Sequence, residues 1–146
     1  MDPIARFMEY AAAFEEVYES DDWSALEAFF TEDAVYEVVG ATLLAGRHEG
    51  RAAVFAALKA ALDAHDRRFP TRELVLREGP ELSEGVVKFR WQASYRGPGI
   101  PELVMEGRES IWLEGDRITR LVDEIPLEIG EITAQWFSHY GELLGP

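Results

Sequence analysis

The hydrophobic pattern of the chain is mostly helical in its first part and mostly alternating in its second. Residues 4–20 place Ile4, Phe7, Met8, Ala11, Phe14, Val17 and Tyr18 at helical spacing, with Asp2 and Pro3 as cap and first helical residue. "SDDWSALEAFFTED" offers Ser20, Asp21 and Asp22 as caps for a second, short helix that turns Trp23, Leu26, Phe29 and Phe30 inward. "DAVYEVVG" alternates and is β-branched, so it predicts a strand. "LLAGRHEGR" reads as a glycine-punctuated loop that could carry a very short strand. "RAAVFAALKAALDAHD" predicts a helix with Val54, Leu58, Ala61 and His65 on one stripe.

From there the period is two. "TRELVLRE", "EGVVKFRWQASYRG", "ELVMEGRESIWLE" and "RITRLVDEI" alternate and are separated by turn signals at Gly79-Pro80, Gly97-Pro98-Gly99 and Gly115-Asp116. They predict an antiparallel meander. "PLEIGEITAQWFSHYGELLGP" predicts a closing helix over about 127–144, with Ile129, Ile132, Trp136, Tyr140 and Leu143 or Leu144 on its apolar side. The expected class is α+β: a curved antiparallel or mixed sheet wrapped around a long N-terminal helix, plus the extra C-terminal helix. A sheet folded over a helix encloses a cone, and the open end of a cone is a pocket. One domain over 1–146 accounts for the whole pattern, with its core at 5–125.

Composition narrows the partners. The formal charge is −14, from 14 basic against 28 acidic residues, and the basic ones are scattered among acids. A phosphate backbone or an anionic membrane needs a positive stripe, so neither nucleic acid nor membrane is an expected partner. With no cysteine there is no disulfide, thiolate nucleophile or Cys-ligated zinc. "MDPIARFMEY" lacks a basic-then-apolar leader pattern and no long apolar run follows, so the expected location is the cytoplasm. His48, His65 and His139 lie far apart without metal-ligand spacing, and no phosphate-binding or nucleophile-elbow motif is present, so neither metal nor cofactor is expected. His48 reads as a solvated loop residue, and His65 and His139 as packing or surface residues.

"YESDDWSALEAFFTEDAVYEVVG", "EGVVKFRWQASYRG" and "GRESIWLEGDRITRLVDEI" together resemble the nuclear transport factor 2-like superfamily, in its SnoaL-like and ketosteroid isomerase branch, known also as a cystatin-like cone. The likeness covers most of residues 5–125. It implies the cone fold, but this fold hosts isomerases, cyclases, hydratases, epoxide hydrolases and non-catalytic modules. It also implies a homodimer through the outer sheet face, which here carries Lys88, Arg90, Gln92, Ser94 and Arg96. The helix after Pro126 is not part of the isomerase pattern.

Two acids interrupt apolar faces. Leu103, Met105, Gly107, Glu109, Ile111 and Leu113 share one side of their strand, and only Glu109 is charged. Leu121, Asp123 and Ile125 repeat the anomaly on the next strand. A buried carboxyl has a raised pKa, and the neutral acid can donate to a developing oxyanion. Ketosteroid isomerase uses a carboxylic acid in that way, and the resemblance puts Glu109 at its position. An acid on the last strand is the acid/base of SnoaL-like cyclases, which implies the same role for Asp123. The plainer alternative for Glu109 is pairing with a buried Arg, Tyr or His, or leaning out of the mouth. The turn decides whether the acids meet. A two-residue Gly115-Asp116 turn would oppose Glu109 with Val122 and turn Asp123 away. A three-residue Glu114-Gly115-Asp116 turn would oppose Gly107 with Asp123 and bring both acids into the cone, diagonal to each other with Gly107 as the gap.

Other signature residues are absent. Val38 stands where the isomerase has its general base, with Glu37 facing away, and Phe14 where it has a helix-1 tyrosine, so ketosteroid isomerase itself is excluded. Tyr36, Tyr10 or Tyr18 could supply a phenol. The expectation is an acid/base enzyme of isomerase, cyclase or hydratase type on a hydrophobic, polyketide- or steroid-like molecule. Asp123 and Glu109 are its catalytic residues; Tyr36, Val38, Phe14, Phe89, Trp91, Tyr95 and Ile111 are its substrate-binding wall. Epoxide hydrolysis ranks lower, because alternation turns Arg108 and Arg120 outward. The alternative is a binding or interaction module of the same fold, with Trp136, Phe137 and Tyr140 plugging the mouth.

Overall fold

The computed structural model describes residues 2–40 and 45–145. Helix α1 runs Pro3–Ser20, and the Asp2 carboxylate accepts from the Ile4 N–H at 3.0 Å, closing its first turn. Phe7, Tyr10 and Val17 form its buried stripe. The second predicted helix is a 3₁₀ helix over Trp23–Phe29, capped by Asp22. Strand β1 (Phe30–Val39), a short β2 (Gly46–Glu49) and helix α2 (Arg51–Ala64) follow. Leu43 and Leu44, part of the loop reading, lie outside the described residues. Strands β3 (Thr71–Ser83), β4 (Val86–Arg96), β5 (Leu103–Glu114) and β6 (Arg117–Glu124) then build the meander, and α3 (Leu127–Tyr140) closes the chain. The sheet order is β2-β1-β6-β5-β4-β3, parallel between β1 and β6 and antiparallel elsewhere.

Three details depart from the sequence reading. Gly79-Pro80 does not end β3, which continues through it with two register slips against β4. Gly79 has positive φ, and a Cβ there would lie 2.7 Å from the Lys88 carbonyl oxygen, so only glycine fits this bulge. The reversal falls instead at Glu84-Gly85, both at positive φ. On α3, Ile132 is 53% exposed; the side that packs inward is Ile129, Trp136, Phe137 and Tyr140. The Trp136 indole donates to the Pro101 carbonyl at 3.1 Å, fixing the helix across the β4–β5 connection.

The third departure sets the site. The β5–β6 turn is the two-residue one: Glu114 opposes Arg117 around Gly115-Asp116, and Leu113 opposes Ile118. Trp112 then opposes Arg120, leaving Thr119 as an extra residue in β6. The Thr119 hydroxyl donates to the Trp112 carbonyl at 3.3 Å. The bulge advances β6 by one residue, so Glu109 opposes Asp123 directly. Neither turn considered from sequence gives that pairing.

Candidate active site

The concave face of the sheet and helices α1 and α2 enclose a cavity of about 600 Å³. Glu109 and Asp123 both line it, together with Phe14, Tyr36, Val38, Phe89, Trp91 and Tyr95. Of the expected wall, Ile111 does not reach the cavity; it is buried between Val87 and Leu121 on the neighbouring strands. On β5 the lining ends at Glu109, while Leu121 on β6 still reaches the cavity. No residue of α3 lines the cavity. Phe137 packs behind His65, and Trp136 behind Phe69, so the closing helix backs the wall and leaves the interior open. Met8, Leu74 and Leu76 line the cavity while each is at least 40% exposed, which marks an apolar mouth between α1 and β3.

Asp123 sits between Val38 on β1 and Glu109 on β5. Its Oδ1 accepts from the Trp91 indole N–H at 3.2 Å. Trp91 opposes Gly107, and a Cβ on Gly107 would lie 2.7 Å from the indole Cζ2 and 2.9 Å from the Glu124 carbonyl oxygen. Gly107 therefore makes room for Trp91; it is not a gap between the acids.

Protein surrounds both carboxyls, and what accessible surface they keep faces the cavity. Burial, then the charge of Asp123, raises Glu109 well above the usual carboxyl range. Burial also raises Asp123, to about 6, opposed by the neighbouring Glu109 carboxyl, by the Trp91 N–H that bonds it and by the nearby Tyr36. The two titrate as one coupled pair. At neutral pH the favoured arrangement is an ionised Asp123 accepting from a protonated Glu109. Burial and the two acids hold the phenols of Tyr10 and Tyr36 protonated.

The remaining candidate residues lie as follows. Tyr10 lines the cavity, whereas the Tyr18 hydroxyl donates to the Asp66 carbonyl at 3.4 Å. Arg120 turns outward, stacking on Trp112 and meeting Glu37 at 3.2 Å; Arg108 is exposed. His48 stands on β2 with its ring stacked on Tyr36, outside the cavity lining. Among the described residues no group of His, Asp or Glu could hold a metal ion.

A second polar group lines the cavity, and the sequence reading missed it. His65, Asp66, Arg72, Tyr95 and Glu15 all reach the wall. Asp66 Oδ2 accepts from the Tyr95 hydroxyl at 3.0 Å and from Arg72 Nε at 2.9 Å, and Arg72 reaches Glu15 at 2.9 Å. Burial pushes the Asp66 carboxyl up, but His65 and Arg72 hold it below its ordinary value. The one signal was His65, in register with Leu58 and Ala61 on the inward stripe of α2.

A profile of the SnoaL-like domain matches residues 11–121. No curated protein matches the chain in sequence. An NTF2-like protein from Burkholderia xenovorans is 20% identical over 91% of this chain and 96% of its own, with a TM-score of 0.62. A candidate isomerase from Rhodopseudomonas palustris is 12% identical over 89% of this chain and 96% of its own, with a TM-score of 0.70. TerC, co-crystallised with polyporic acid, is 14% identical over 97% of this chain and 99% of its own, with a TM-score of 0.61. At these identities the likeness to the solved structures is one of fold.

Proposed function

The chain belongs to the SnoaL-like domain family, within the NTF2-like superfamily, and from that premise we propose that it is an acid/base enzyme acting on a hydrophobic small molecule in its cavity. The observation that carries this is the Glu109–Asp123 pair, directly opposed on neighbouring strands and facing an apolar cavity. A base poised near neutrality beside an acid kept neutral suits proton transfer next to a carbonyl. Asp123 takes a proton from carbon. Glu109 donates a hydrogen bond, or its proton, to the oxygen on which charge accumulates. Tyr36 and Trp91 hold the Asp123 carboxylate, and Phe14, Val38 and Phe89 keep water scarce around it. Isomerisation, cyclisation and dehydration all use this step.

The test is turnover of a panel of cyclic enones, β-hydroxy ketones and polyketide-like polyketones. Activity on a member that is abolished in Asp123→Asn and strongly reduced in Glu109→Gln supports the reading. No turnover, with both acids titrating near 4 by carboxyl NMR, would sink it and favour a ligand-binding or interaction module of the same fold. We also expect a homodimer through the outer sheet face, where Val75 and Val104 are exposed among charged neighbours; light scattering tests it.

A further inference from the structure

The cavity has a second polar end that proton transfer at the acid pair does not use. His65 is 94% buried and lines the cavity, yet neither ring nitrogen has a hydrogen-bond partner among the described residues. Its Nδ1 lies 3.6 Å from Asp66 Oδ1, beyond hydrogen-bonding distance. The other Asp66 oxygen is taken by Tyr95 and Arg72. A donor and an acceptor thus stand side by side, not bonded to each other, in a buried wall. Unmet polar groups of that kind are costly, and proteins rarely keep them without a purpose. Around them the His65 ring packs edge-on to Tyr95 and Phe137, with centroids at 4.6 and 5.1 Å. Asp66 is held by Arg72, itself tied to Glu15 and stacked over Tyr18.

This end is displaced from the acids along β4. Tyr95 stands four residues along β4 from Trp91, whose indole bonds Asp123; that is about 13 Å of strand. Between them the wall is apolar, formed by Ala93 and Met105 with Leu58 and Leu62 of α2.

We propose that His65 and Asp66 form a hydroxyl-binding subsite, and that the ligand is an elongated, apolar molecule with a phenolic or alcoholic hydroxyl at the end away from the Glu109–Asp123 pair. The hydroxyl accepts from His65 Nδ1–H and donates to Asp66 Oδ1, once a small rotation of the imidazole turns its enclosed nitrogen toward the cavity. The subsite rests on the reading of the cavity as a ligand site, and it names the class of ligand.

The test is binding, not turnover, so it is separable from the catalytic reading. The probes are trans-stilbene, 4-hydroxystilbene and 4,4′-dihydroxystilbene, followed by calorimetry and by the imidazole resonances of His65. The expected result is about tenfold tighter binding of the hydroxylated probes than of stilbene, the equivalent of one net hydrogen bond. The His65 resonances shift only with hydroxylated probes. His65→Phe keeps the ring packing and should erase the preference while still binding stilbene. His65→Gln, which retains a donor, should restore part of it. Equal binding of all three probes, a preference that survives His65→Phe, or no binding up to about 1 mM would overturn the proposal, whatever the enzyme turns over. A confirmed preference without turnover would leave the subsite standing and remove the catalytic role of the acids.

Discussion

Replacing Gly107 by alanine should disarm Asp123 without touching either acid. The new Cβ would lie 2.7 Å from Trp91 Cζ2 and 2.9 Å from the Glu124 carbonyl oxygen, well inside the ~3.5–4.0 Å at which carbon atoms rest. Glu124 O belongs to the backbone of β6, so the indole is the part that yields. Overpacking of this kind costs about 1–3 kcal/mol, seen as a lower Tm. The functional loss is larger. A hydrogen bond to a charged group is worth about 1.5–3 kcal/mol, and about 1.4 kcal/mol moves a pKa by one unit. Without the Trp91 N–H, the Asp123 carboxyl should therefore rise from about 6 to about 7–8. Carboxyl-labelled NMR reads that shift directly, and the acid limb of the pH–rate profile should move up with it. Trp91→Phe should give the same shift with little loss of Tm. In a Trp91→Ala background, Gly107→Ala should shift Asp123 no further. An Asp123 titration unmoved in both Gly107→Ala and Trp91→Phe would refute the chain of reasoning from glycine to indole to base.

Stability should fall as pH rises through the acid pair. The folded-state pKa of Asp123 is raised from 3.8 to about 6, so above pH 4 the unfolded chain releases a proton that the folded chain retains, and stability declines between about pH 4 and 6 by about 3 kcal/mol. Glu109, raised further, extends the decline to higher pH. Asp123→Asn should flatten that slope, raise the Tm at pH 8 and lower the Glu109 pKa by removing the charge opposite it, all measurable by thermal melts and NMR. Leu74→Glu or Leu76→Glu at the exposed mouth should leave the Tm within about 2 °C but weaken binding of an apolar probe severalfold by calorimetry. Trp136→Ala should cost about 3–5 kcal/mol and lower the Tm by roughly 10 °C or more, because the side chain packs on Phe69, Phe137 and Tyr140.

The fold was legible because its apolar positions obey two clean periods. α1 and α2 bury stripes at helical spacing and β4 and β5 alternate, as their sequences say, and Phe89, Trp91 and Tyr95 reach the cavity from the face that alternation assigns them. What escaped the reading was non-local or a break in period. The β5–β6 register depends on Thr119, which the alternating template absorbed; the trace was there in Ile118 and Leu121, two core residues three apart in a strand of period two. Ile111 has the right parity for the cavity, but parity gives a face and says nothing of where along the strand the cavity ends. The His65–Asp66–Arg72–Tyr95 group joins the end of α2 to β3 and β4, and no local pattern links those residues.

The bulge at Thr119 gives β6 an uneven tolerance to changes of length. Excising Thr119 would make the ladder regular, with Ile118 still opposite Leu113 and Asp123 still opposite Glu109, so the chain could lose that residue and keep its acid pair. One residue inserted between Arg120 and Asp123 would turn Asp123 to the outer face and leave every catalytic side chain present but separated. Inheritance of this site is thus governed by spacing as much as by identity: a gap at one place in β6 is silent, and a gap three residues later is decisive.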